Sequence, residues 1–338
     1  MIRVKTGVPR RVRALGLPTA WGATPLVYKL ACPLAQEEGI GARIVSTAVV
    51  FTAGTGLVLH VRRKLLRELR QARRIVRALQ GALLRPPPAC VDGLHVAAAQ
   101  LCADRDAVVG GDLYDVVGTE YGVRVVIGDA RGHGIAAMAT AAAVLGGFRE
   151  AVHDEKDLAD VLRRLERTLA RHLRTRLGDD TAAEEFVTVL LLEIGVDGDV
   201  HALNCGHPWP YLISGTDLVP LARADPLPPL GLLPLPLEIP ALHFRHLLPG
   251  EALFLHTDGA KDVRDSRGRF FPLRQVLAEA VGEQPLCAHT LLQRTLAALL
   301  SHTDGPPDDD VSLLVLQKEN APLGTRTPAD PAVSVYPR

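Results

Sequence analysis

Four well-separated aspartate motifs are the part of this sequence best equipped for chemistry. GGDLYD (110–115) carries Asp112, and GDARGHG (128–134) carries Asp129 directly after the apolar run 123–127. HTDGAKD (256–262) carries Asp258 after the apolar run 252–255, and DDDVSLLVL (308–316) sets Asp309 and Asp310 just before another. An aspartate where a buried strand meets a Gly-rich loop can project into a cleft, while the glycines let backbone approach closely. Convergence of the four would crowd like charges together, an arrangement that divalent cations make tolerable. Oxygen donors without cysteine or paired histidine suit Mg2+ or Mn2+ better than Zn2+. Taken singly, an Asp-Gly after a strand also reads as a turn, and an acidic triplet as a solvated loop.

The elements expected to position these residues alternate in blocks. Strand patterns fall at 94–100, 113–117, 123–127, 186–194, 200–204, 211–213, 242–247, 252–256 and 311–317, with helical patterns at 135–153, 158–176, 273–281 and 287–301. Strands run consecutively and helices come in pairs. That favours an α+β domain with antiparallel sheets and flanking helices over a doubly wound parallel sheet.

Charge divides the chain. Residues 1–85 hold 16 Lys and Arg against three Glu, and the remainder 22 against 35, a split of +13 and −13. A basic N-terminal part suits a membrane or polyanion contact, and an acidic body suits metal binding. Residues 44–61 form an 18-residue run without formal charge, followed by Arg62, Arg63 and Lys64. As a helix the run reaches roughly 27 Å, close to a hydrocarbon core of about 30 Å, and the basic flank would stay cytoplasmic. A poorer first span within 14–35, broken by Pro18, Pro25, Lys29 and Pro33, would complete a hairpin. The bland alternative for 44–61 is a buried helix of a soluble domain.

Within the linker 62–88, Leu65, Leu69, Ala72, Val76, Leu79 and Leu83 follow a heptad spacing before the stop at Pro86, Pro87 and Pro88. A dimerising coiled coil over 62–85 and an amphipathic helix on anionic lipid both fit that pattern. The Pro-, Thr- and Ala-rich tail 320–338 is expected to be disordered. Five scattered cysteines without a CxxC argue against a disulfide framework or zinc site.

The motifs in order are GGDxYD, GDxxGHG, NxGHP in the segment from Asn204, TDG, and DDVS before an apolar strand. This set resembles the SpoIIE-type, RsbU-like phosphatases of the metal-dependent PPM class, over about residues 89–319. The resemblance implies two antiparallel sheets sandwiched between pairs of helices. It also implies hydrolysis of phosphoserine or phosphothreonine in a protein by metal-activated water, with two divalent ions, Mn2+ or Mg2+. By the same resemblance Asp129 bridges the metals, Ala130 offers its carbonyl, and Asp112, Asp258 and Asp309 complete the centre, with Asp310 behind them. His207 and His133 read as structural, and Arg105 and Arg131 as weak candidates for a phosphate clamp.

The implied partner is a phosphorylated protein, such as the anti-anti-sigma proteins on which relatives act, with a membrane and without nucleic acid. The expected place is the cell membrane, phosphatase domain on the cytoplasmic side. Two competitors remain at this stage: an inactive signalling scaffold of the same fold, and a diguanylate cyclase suggested by GGD. A cyclase would carry an acidic residue and phenylalanine where this sequence has Leu113 and Tyr114.

Overall fold

The computed structural model describes residues 48–49, 51–68, 71, 85–101, 110–132, 134–176, 185–239, 241–244, 246–282, 286–303, 307 and 309–319. The first apolar segment, most of the heptad seam, Arg105, His133, Asp308 and the tail 320–338 lie outside them. The chain divides into two units, 1–74 and 75–338. In the first, residues 51–68 are helical, and Phe51 and Leu57 are 60% and 64% exposed.

Beyond the non-helical prolines 86–88, the second unit contains eleven described strands. These are β1 (Cys90–Val91), β2 (Leu94–Leu101), β3 (Asp112–Thr119), β4 (Gly122–Ala130), β5 (Val187–Ile194) and β6 (Val200–Cys205). After them come β7 (Tyr211–Ser214), β8 (Asp217–Pro220), β9 (Leu242–Phe244), β10 (Ala252–His256) and β11 (Val311–Lys318). Helices α1 (Ile135–Asp154) and α2 (Leu158–Thr175) precede β5, while α3 (Gly259–Asp262), α4 (Leu273–Val281) and α5 (Ala288–His302) follow β10. One sheet has the order β1-β2-β11-β10-β7-β8 and the other β3-β4-β5-β6-β9, with antiparallel pairing throughout.

Side-chain alternation sorts these elements into four layers, because successive strand residues face opposite sides. On β4, Val123, Val125 and Ile127 enter the space between the sheets, where Leu190, Leu253 and Leu314 meet them. Val126 and Ala130 face the other way, onto Phe148 of α1 and Leu165 of α2. Across the sandwich, Phe254 and Leu313 pack beneath Leu277 of α4 and Leu292 of α5. The architecture is therefore helix pair, sheet, sheet, helix pair, as the resemblance implies.

Among the described helices α1 alone is long and apolar enough to cross a membrane, but Ala141, Val144, Leu145 and Phe148 bury it against the sheet. It is a core helix. Fully buried Arg124 closes its end, donating to the carbonyls of Val152, Glu155 and Lys156 while pairing with Glu193. A cation there complements the helix C-terminus and satisfies its last carbonyls.

Three short elements escape the sequence patterns: β1, with two residues; β8, which ends at Pro220 on a sheet edge; and α3, a single turn. Strand β9 stops at Phe244 although the apolar pattern runs to Leu247.

Candidate functional site

The aspartates gather at one end of the layer between the sheets. Asp112 opens β3 and stands directly opposite Asp129, next to last on β4. Their registers match those of Tyr114 and Ile127, which face the inter-sheet core. Asp115, one pleat away, turns to the helical side and pairs with Arg149 of α1 at 2.5 Å. Of the two acids in GGDLYD, only Asp112 therefore belongs to the cluster. Asp258 leaves β10 and caps α3, accepting from Gly259 N at 3.0 Å. Asp309 and Asp310 precede β11, and Asp310 N donates to Asp309 Oδ1 at 2.8 Å.

Glycines allow the segments to interlock. A Cβ on Gly111 would lie 2.3 Å from Ala130 O and 2.8 Å from Asp129 Oδ1, and one on Gly110 would lie 2.3 Å from Asp310 Oδ2. A Cβ on Gly259 would fall 1.9 Å from Asp310 O. The chain thus closes a ring from Asp258 through Asp309 and Asp310 to Gly110 and Gly111, then to Asp129 and Ala130. Its scaffold bonds are equally specific. Thr257 Oγ1 donates to Asp112 Oδ2 at 2.9 Å and accepts from Ser312 N at 2.9 Å, tying both sheets together. Asp310 Oδ2 accepts from Gly111 N at 3.1 Å, and Thr188 Oγ1 accepts from Asp129 N at 3.3 Å.

Electrostatics mark the cluster as deficient in positive charge. Burial, then the Asp129 carboxylate, pushes Asp112 well above the usual carboxylate range. Burial, then Asp258, Asp309 and Asp310, raises Asp129 to about 7. Asp258 and Asp309 are also raised, by burial first and then by Asp309 and Asp310 respectively. Like charges facing one another in a desolvated site call for a counter-cation. The donors are carboxylate oxygens plus the Ala130 carbonyl beside the open cradle of Gly111, a set suited to hard divalent ions. The residues present fit such ions.

His207 and His256 lie buried nearby, with pKa values held at about 3 and about 4, chiefly by burial. Both are neutral at physiological pH. Asn204 clamps the His207 backbone through two 2.8 Å bonds, and His207 Nδ1 meets Thr188 Oγ1 at 3.2 Å, which agrees with the structural reading. Arg131 packs over the Phe186 ring at 5.1 Å. A separate exposed group, Asp197 and Asp199 with His246, lies beyond the far end of β5 from Thr188 and forms no part of the centre.

Sequence reasoning missed Thr257, Ser312 and Thr188. The TDG and DDVS motifs contain the first two, and a polar residue at a motif's buried edge is the signal that could have found them.

This four-layer fold is shared with solved phosphatase domains. The chain is similar to the RsbU and RsbW domains of a Mycobacterium tuberculosis protein, with TM-score 0.56 and 23% identity over 70% of this chain and 62% of that one. It is similar to the PP2C phosphatase domain and regulatory fragment of SpoIIE from Bacillus subtilis, with TM-score 0.53 and 16% identity over 66% and 63%. A third likeness is the SiaA PP2C domain of Pseudomonas aeruginosa, with TM-score 0.55 and 18% identity over 76% and 98%. The chain thus spans less than two thirds of the first two structures.

The fold is that of the PPM phosphatases. The family model for stage II sporulation protein E matches residues 119–319, more than half of the sequence, and the chain belongs to the SpoIIE family. That match begins after Asp112, which the β3–β4 register nevertheless places opposite Asp129.

Proposed function

We propose that the protein is a metal-dependent protein phosphatase acting on phosphoserine or phosphothreonine. The observation that carries this is the convergence of Asp112, Asp129, Asp258, Asp309 and the Ala130 carbonyl at the end of the inter-sheet layer in a PPM fold. These residues would hold two divalent cations, Mn2+ or Mg2+. Such ions, when bound, polarise phosphoryl oxygens and bring the pKa of water toward neutrality.

The chain's own residues supply order. Thr257 and Ser312 fix Asp112, Asp310 fixes the Gly111 loop, and Thr188 fixes the backbone of Asp129. Pre-set carboxylates need little rearrangement as charge moves in the transition state. Buried Cys205, whose thiol burial pushes up to about 12, is unsuited to act as a nucleophile. Hydrolysis by water fits this site better than a covalent phosphoryl-enzyme.

The substrate in this reading is a phosphorylated regulatory protein of the anti-anti-sigma kind. Support comes from the RsbU and RsbW domains named for the Mycobacterium tuberculosis structure. The protein sits at the cell membrane through residues 44–61 with its catalytic domain cytoplasmic, a reading supported by the exposed apolar helix and its flank of Arg62, Arg63 and Lys64. Carbonate extraction tests that placement: a chain released into the supernatant does not span the bilayer. The activity is tested by phosphate release from phosphoserine and phosphothreonine peptides in Mn2+. Turnover lost on chelation is expected, and turnover unaffected by chelator would overturn the proposal.

A further inference from the structure

A groove of about 730 Å³ begins one helical turn beyond Asp258, lined by Tyr211, Lys261, Asp262, Phe270, Phe271 and Arg274 among others. Its base is aromatic: Tyr211 and Phe271 are buried, whereas Phe270 is 53% exposed at the rim. Cations stand on these rings. The Lys261 ammonium lies 5.8 Å from the Tyr211 centroid, and the Arg264 guanidinium lies 4.4 Å over Phe270. Arg274 is exposed in the first turn of α4. Among the described residues no carboxylate lies within ion-pair distance of Lys261, Arg264 or Arg274. Asp262 is the one acid in the lining.

The groove is joined to the centre by main chain, since Lys261 N and Asp262 N both bond Asp258 O, at 2.7 and 3.1 Å. An extended polypeptide advances about 3.3 Å per residue. Lys261 and Asp262, on the edge of the groove, stand within one helical turn, about 5.4 Å, of Asp258. Residues 86–338 carry 22 Lys and Arg against 35 Asp and Glu, so the body as a whole repels an acidic partner. The groove is a local exception: Lys261, Arg264 and Arg274 outnumber the one lining acid, Asp262, which together with Asp258 offsets part of the Lys261 charge.

Resting on the phosphatase reading, we infer that this groove docks the substrate segment flanking the phosphorylated residue, and that it selects flanks bearing Asp or Glu beside an apolar side chain. Lys261 and Arg274 are specificity-determining residues, and the aromatic base receives the apolar side chain.

The test uses the full chain and two synthetic phosphoserine peptides that differ only in Glu or Lys flanks, with p-nitrophenyl phosphate alongside. An exposed charge pair is worth a factor of about 1.5 to 5, so two cations predict roughly a tenfold kcat/KM preference for the Glu peptide, shrinking as salt rises. K261E/R274E should reverse the preference, which a variant that merely failed to fold could not do, and Arg274→Gln should reduce it. Equal turnover of both peptides by the wild type, or an unchanged preference in K261E/R274E, would overturn the inference. Anisotropy of the labelled peptides reads docking separately. Absence of turnover on every phosphate ester would count against the phosphatase reading, and the groove would then stand or fall by the binding preference alone.

Discussion

Replacing Asp129 with Asn should stabilise the metal-free protein while abolishing its activity. In the folded chain burial and three neighbouring carboxylates raise the Asp129 pKa from its ordinary 3.8 to about 7. A group with a raised folded pKa leaves stability intact below its unfolded pKa and erodes it as pH rises through the folded value. The full rise corresponds to about 4 kcal/mol above pH 7. Asparagine removes the charge but keeps a polar side chain to desolvate, so the expected gain is about 1–3 kcal/mol at pH 8. At pH 5 it should fall to less than half of that, because wild-type Asp129 is then largely protonated when folded. The assay is urea denaturation of chelated protein at both pH values. Saturating Mn2+ should reverse the order, since an ion that binds only the folded wild type stabilises it. A variant no more stable than wild type at pH 8 without metal, or an equal gain at both pH values, would refute the picture of a crowded, uncompensated cluster.

Other consequences follow from single contacts. Gly111→Ala forces a Cβ within 2.3 Å of Ala130 O; turnover should fall about 100-fold with circular dichroism unchanged. Arg124→Met strips the carbonyls that end α1 of their donor and strands Glu193; a loss of about 3 kcal/mol or more is expected in chemical denaturation. His207 is held at about 3 against an ordinary 6.5, so its neutral, buried form should cost stability as pH falls from 6.5 toward 4. His207→Gln should flatten that acid limb in a thermal melt series.

Much of the fold was legible because strand alternation and helix spacing write burial directly into sequence. The patterns at 252–256 and 273–281 match β10 and α4 residue for residue, and α1 differs from its pattern by one residue at its end. The candidate site was legible as motifs, since an aspartate at a strand end beside glycine keeps its position whatever lies across from it. What was illegible depends on register and on packing between sheets. The bond from Thr257 to Asp112 spans 145 residues, and neither local sequence implies the other. Arg124 reads as an interruption in an apolar strand until the end of α1 is seen to cover it. The two acids of GGDLYD look alike in sequence, and only the pleat assigns Asp112 to the cluster and Asp115 to Arg149. The basic groove draws on β7, α3, the loop before α4 and α4 itself, segments without a shared motif.

If aspartates from four strand ends make one cation-dependent hydrolytic centre, phosphoserine-peptide hydrolysis must depend on Mn2+. Wild type would be titrated beside Asp112→Asn, Asp129→Asn, Asp258→Asn and Asp309→Asn, each checked for folding. Wild-type turnover should rise from near zero with added Mn2+, and the variants should fall orders of magnitude below it at every concentration. Full turnover by Asp129→Asn or Asp258→Asn in saturating Mn2+, or wild-type turnover unaffected by chelation, would contradict it.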